Sequence, residues 1–110
     1  MIVEYIRYNL KNTTAIATFT EAYAQAAKAL VAAPECLDFE LTQCEEEPSR
    51  FILRIEWTST KDHLQGFRKG KHFPAFLREI RPYIGEIEEM QHYANVPIGS
   101  NVQPQTSEAP

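Results

Sequence analysis

From Ile2 to Leu10 the bulky residues fall on alternate positions. Ile2, Ile6, Tyr8 and Leu10 share one parity, with the carboxylate of Glu4 as the exception. Val3, Tyr5, Arg7 and Asn9 take the other parity, so the segment predicts a strand. Asn12, Thr13 and Thr14 then offer oxygens that can cap a helix. In that helix Ile16, Phe19, Tyr23, Ala26 and Leu30 recur at steps of three and four, which makes one apolar stripe. Its alanines favour helix and keep it slim enough to pack closely. Pro34 ends it, because proline disfavours helical backbone in the residue before it.

Cys36 to Glu45 alternates again, with Leu37, Phe39 and Leu41 on one face and Asp38, Glu40 and Thr42 on the other. A polar turn, Glu45 to Ser49, leads into Arg50 to Trp57, where Phe51, Leu53, Ile55 and Trp57 share a face opposite Ile52, Arg54 and Glu56. Two alternating strands joined by a short turn predict a hairpin. Ser59 and Asp62 have the spacing of a capping box and open a short helix carrying His63, Leu64 and Phe67, which ends at Gly70. A second short helix starts at Pro74, sets Phe73, Phe76, Leu77 and Ile80 at helical spacing, and ends before Pro82. Glu86 to Val96 is the last strand, with weaker alternation. If His92 shares the face of Met90 it points toward the helices and Trp57; if Ile87 and Tyr93 point inward, it lies on the opposite face.

This βαββαβ order predicts an α+β fold, a ferredoxin-like subunit whose antiparallel sheet carries its helices on one face. The other face mixes Val3, Tyr5, Cys36, Cys44 and Ile52 with Asp38, Glu40, Arg54 and Glu56. A sheet face left to water rarely holds so much apolar bulk. A two-fold homodimer that closes two sheets into a dimeric α+β barrel is therefore expected. Residues 1–96 form the single domain, and the polar, aperiodic stretch 97–110 reads as a mobile tail.

Composition narrows the function. The 110 residues are 44% hydrophobic and 24% charged, ordinary for one soluble domain. A net charge of −4 argues against a nucleic-acid partner, which requires a basic face. No apolar run approaches the roughly 20 residues that span a bilayer. The start, Met-Ile-Val-Glu-Tyr, lacks the basic leader of a signal peptide, so a cytoplasmic location is the default. Cys36 and Cys44 stand eight positions apart on one strand, about 26 Å at the usual rise. That far exceeds the reach of about 7 Å for a disulfide, so free thiols are expected.

The chemistry concentrates between Trp57 and Phe73. There a large aromatic wall, an imidazole and a permanent cation (Trp57, His63 and Arg68) fall within a short stretch that could hold a flat organic anion. The surrounding segments resemble the antibiotic biosynthesis monooxygenase family. The likeness runs through Ala33 to Leu41, then Trp57-Thr58-Ser59 with Leu64 and His72-Phe73, and finally His92-Tyr93. It spans about Ile2 to Val96. A Gly is usual where Glu35 or Cys36 stands, and a His found in some members falls on Phe67, whereas this chain has His63 one turn earlier. The iron-binding His of haem-degrading relatives falls on Leu77, which argues against haem chemistry.

The resemblance implies a dimeric α+β barrel and a cofactor-independent monooxygenase acting on a hydroxylated aromatic or quinol, with neither metal nor other cofactor. A deprotonated phenol or hydroquinone can pass an electron to O₂ directly. The protein must then supply an apolar slot, a general base and oxyanion donors. His63 and His92 are the candidate catalytic groups, His63 as base or hydrogen-bond donor or else as a helix histidine packed on the sheet. Arg68 can hold a phenolate or simply end a helix in solvent. Trp57 can be core, ligand wall or both, and Phe67, Tyr8 and Tyr23 are core residues first and candidate pocket lining besides. His72 can serve to start the second short helix. The alternative function is a non-catalytic small-molecule-binding or accessory dimer of the same fold. An isomerase or lyase acting on an enolisable ring is a third option.

Overall fold

The computed structural model describes residues 1–99; the end of the expected tail, residues 100–110, lies outside them. The strands are β1 (Ile2–Asn9), β2 (Cys36–Gln43), β3 (Arg50–Trp57) and β4 (Ile87–Ala94). The helices are α1 (Ile16–Ala32) and α2 (Phe73–Ile80), with a π-helical turn at Asp62–Phe67 and a 3-10 segment at Arg81–Glu86. The sheet runs β2-β3-β1-β4 with every pair antiparallel, the ferredoxin-like order. Among the described residues no helix is long and apolar enough to cross a membrane.

One face of the sheet takes both helices, and the stripe of α1 sinks into it. Phe19 lies 4.9 Å from the ring of Tyr8 and 4.7 Å from that of Phe51. Tyr23, Ala26 and Leu30 are buried beside it, as are Leu53, Ile55 and Trp57 of β3. On the opposite face Tyr5 meets Tyr93 edge-on at 5.3 Å, and ion pairs join Arg7 to Glu89 and Arg54 to Glu56 at 2.6 Å each. Both cysteines are free thiols.

Two bulges decide which side chains face inward. Cys36 pairs with Trp57 but Asp38 with Glu56, so Leu37 is an extra residue in β2. One inserted residue reverses the parity that follows it. Cys36 therefore joins Phe39 and Leu41 against the core, and Leu37 is turned out, 55% exposed. This corrects the expected faces of both Leu37 and Cys36. In β4 the register passes from Arg7↔Glu89 to Tyr8↔Ile87, leaving Glu88 as the extra residue. Met90 opposes Ile6 and His92 opposes Glu4, so Ile87, Met90 and His92 all face the helices. The two orientations open for His92 resolve to the helix side, and Ile87 shares it.

After the π-helical turn the chain tightens at Gly70, whose N–H donates to the Phe67 carbonyl at 3.0 Å. A Cβ added at Gly70 would stand 2.7 Å from the Gly66 carbonyl oxygen. Gly70→Ala must push this turn apart and is expected to cost about 1–3 kcal/mol in urea unfolding, the usual range for overpacking. Gly85→Ala, where the new methyl meets nothing within 4 Å, is the near-neutral control.

Candidate functional site

A pocket of about 570 Å³, counting its open mouth, lies between the helix-bearing face of the sheet and the layer formed by α2 and the π-helical turn. Ile6, Ile55 and Met90 form its floor, with Phe67, Phe76 and Leu77 facing them. The ionisable residues of its lining are Glu4, His63 and Arg68, and Trp57 stands beside them.

Local backbone structure assembles this cluster. The Asp62 N–H donates to Ser59 Oγ at 2.9 Å, which caps the turn. The Asp62 carboxylate accepts from the Thr58 hydroxyl at 2.6 Å. Next the Arg68 N–H donates to the carbonyl of His63, five residues back, at 2.9 Å. At 3.6 residues per turn, positions five apart sit well round an α-helix from one another. The wider turn brings Arg68 back over His63, the kind of π-bulge that recurs at functional sites.

The His63 ring stacks on Trp57 with centroids 4.2 Å apart and planes 9° from parallel. Trp57 Nε1–H donates to Glu4 Oε1 at 3.0 Å, and His63 Nε2 lies 3.8 Å from that same oxygen. Arg68 Nε–H donates to His63 Nε2 at 3.3 Å, while His63 Nδ1 and His92 Nε2 are 2.7 Å apart. A guanidinium only donates, so His63 Nε2 must offer a lone pair. The neutral ring then carries its proton on Nδ1 and donates it to His92 Nε2, an assignment fixed by the partners.

Burial, followed by the charge of Arg68 and the presence of His92, lowers the His63 pKa to about 3. His92 is lowered by burial and then by Arg68. Glu4 is raised by burial, against the pull of the Trp57 hydrogen bond and of Arg68. Its Oε1 is bonded, yet Oε2 is buried with no hydrogen-bond partner. Glu4, His63 and His92 also bring one donor atom each within 4.8 Å of one another. Two imidazoles and a carboxylate are a donor set that binds transition metals. The guanidinium of Arg68, already bonded to His63, is the local charge that opposes a dication there.

Of the residues expected in a site, Trp57, His63, Phe67 and Arg68 line the pocket. His92 does not; it reaches the pocket only through His63. Tyr8 and Tyr23 are core residues outside this pocket's lining. Their hydroxyls hydrogen-bond to each other, both rings are buried, and burial pushes the Tyr8 phenol up to about 12 and Tyr23 higher still. The cause is position: the two rings fill the space under α1, and the pocket opens under α2. His72 caps α2 with its backbone alone, since its side chain makes no cap bond. Glu4 was not among the expected site residues, although its signal is present as the one carboxylate on the apolar parity of β1.

Known proteins share this architecture. The family model described as antibiotic biosynthesis monooxygenase matches residues 1–79. The uncharacterized protein YczJ of Bacillus subtilis is 24% identical over 78 residues, covering 71% of this chain and 82% of that protein. A Bordetella bronchiseptica structure, provisionally named an antibiotic biosynthesis monooxygenase, superposes with a TM-score of 0.69 at 22% identity over 86% of this chain and 96% of its own. SnoaB, a cofactor-independent oxygenase from Streptomyces nogalater crystallised in a mutant form, gives a TM-score of 0.69 at 14% identity, covering 86% of this chain and 91% of that one. At these identities the structural matches establish the fold. The family match covers most of the chain, and the protein belongs to the antibiotic biosynthesis monooxygenase family.

Proposed function

We propose that this protein is a cofactor-independent monooxygenase acting on a hydroxylated aromatic or quinol, and that it works as a homodimer through the mixed face of its sheet. The observation that carries the reading is one apolar slot, walled by Trp57 and Phe67, whose ionisable groups gather beside that wall. A flat ring fits between the aliphatic floor and the aromatic cover. Its hydroxyl then meets Arg68, a fixed cation placed to stabilise the oxyanion left when the proton departs. The oxyanion passes an electron to O₂ and the two radicals recombine. One oxygen atom is retained in the product and the other leaves as water, with both reducing equivalents drawn from the substrate.

His63 and His92 contribute as a hydrogen-bonded imidazole pair. His63 is a poor proton sink near neutral pH, because its pKa lies near 3 and Arg68 occupies its lone pair. It orients Arg68 and links the pocket to His92. SnoaB, which has this fold, bears the description cofactor-independent oxygenase, and that supports the reading. Leu77 is an apolar lining residue, and the family resemblance sets it where haem-degrading relatives carry their iron-binding histidine, which weighs against haem degradation.

Oxygen consumption with a panel of hydroquinones and hydroxynaphthalenes tests the proposal. The wild type is expected to consume oxygen with at least one of them. Arg68→Gln should lower kcat/KM by roughly 10²–10³-fold, the usual effect of losing one oxyanion donor, and His92→Ala should slow turnover less. Uptake indifferent to both substitutions removes these residues from the reaction. Tight aromatic binding with no uptake from any substrate points instead to a non-catalytic binding dimer.

A further inference from the structure

Glu4 is at odds with its surroundings. It sits on an inner strand, 1% exposed, between Ile2 and Ile6 on the face that meets the helices. Trp57 satisfies Oε1, but Oε2 has neither a protein donor nor contact with bulk water. A desolvated carboxylate oxygen without a donor is costly, and one that persists calls for an explanation. The other unpartnered buried oxygen among the described residues is Oε2 of Glu86, in the 3-10 segment and outside the pocket. Glu4 lines the pocket. A ligand in that pocket is one source of the missing donor.

The geometry points to Glu4 as the residue that accepts the hydroxyl hydrogen of the bound ligand, with Oε2 as the receiving atom and Oε1 held in place by the Trp57 indole. This rests on the reading of the pocket as a site for a hydroxylated aromatic. On binding, Glu4 gains the donor it lacks. In the reaction the ligand O–H bond breaks, the proton joins Oε2, and the electron pair stays on the ligand oxygen beside Arg68. Burial raises the Glu4 pKa, which moves a carboxylate toward the range useful for a base. The pocket is thereby specified for a donor, preferring a phenol to the ether of the same shape.

Calorimetric titration with naphthol and with methoxynaphthalene, under nitrogen and in the presence of EDTA, tests this without turnover. The wild type is expected to bind the naphthol about tenfold or more tightly than the ether, because the ether leaves Oε2 unpaired. Glu4→Gln places an amide donor where an acceptor stood, so the preference should shrink below about threefold or invert. Glu4→Asp keeps the charge but withdraws it by one methylene, and should weaken the naphthol while sparing the ether. Equal wild-type affinities, or a preference that survives Glu4→Gln, overturn the assignment. Naphthol binding that EDTA abolishes and added zinc restores also overturns it, since Glu4 would then be a metal ligand. Binding of neither compound defeats both this assignment and the reading of the pocket. A preference for naphthol without oxygen uptake from any substrate upholds Glu4 and defeats only the oxygenase. Oxygen uptake unchanged in Glu4→Gln does the reverse.

Discussion

Trp57→Ala is expected to remove about 3–5 kcal/mol of stability, the range for truncating a buried aromatic. Trp57 is 0% exposed and packs on His63 at 4.2 Å and on Phe67 at 5.1 Å. Two losses combine, because the indole N–H is also the hydrogen-bond donor to Glu4. Without it the buried carboxylate has no bonded oxygen, which adds a desolvation penalty to the cavity. Against a total of roughly 5–15 kcal/mol for a domain, that is a large share of the whole. Trp57→Phe separates the two losses, since it keeps most of the ring and removes only the donor. Urea unfolding of both variants reads the result. A phenylalanine variant as unstable as the alanine one would make the single hydrogen bond the dominant contribution. An alanine cost below about 1 kcal/mol would mean that the indole is not packed as a core side chain.

Stability is also expected to fall by several kcal/mol as pH drops from about 6.5 toward 3. The window comes from His63, whose pKa of about 3 in the fold lies below its ordinary 6.5. Between those values the unfolded chain binds a proton that the folded chain refuses, so stability rises with pH there. The contribution is fully present above 6.5 and lost on the way down to 3, at about 1.4 kcal/mol for each pH unit crossed. His92, also lowered, acts in the same sense. Glu4 acts oppositely: its raised pKa means the fold holds a proton just above 4.5 that the unfolded chain has released. The Arg68 guanidinium opposes protonation of both imidazoles. His63→Phe leaves a ring on Trp57 and removes the titration. On the alkaline side of Glu4's window its stability should therefore slope less than the wild type's, keeping only the part due to His92. Parallel pH curves for the two proteins, measured as urea midpoints at stepped pH, would show that His63 titrates normally.

Much of the architecture is legible in the chain. The alternation of Phe51, Leu53, Ile55 and Trp57 and the stripe of Phe19, Tyr23, Ala26 and Leu30 each report burial directly, and their order along the chain suffices for the topology. The faces of Leu37, Cys36 and Ile87 are not legible, because a bulge inserts one residue without changing composition. Parity tells which side of a sheet a residue faces but not which half of that side, so Tyr8 and Tyr23 looked like candidates for a pocket that opens elsewhere. The π-helical turn is equally silent, since His63, Phe67 and Arg68 fit an ordinary helix as well as a widened one. Glu4 was visible as a break in a pattern. Its meaning depends on the indole of a distant strand reaching one of its oxygens and leaving the other bare.

Trp57 is the chain's only tryptophan. Emission excited beyond the absorption of its tyrosines therefore originates at a single address, against the imidazole of His63 in the lining of the pocket. Quenching by an arriving ligand, or by a proton placed on the stacked ring, can be followed in the native chain without attaching a dye.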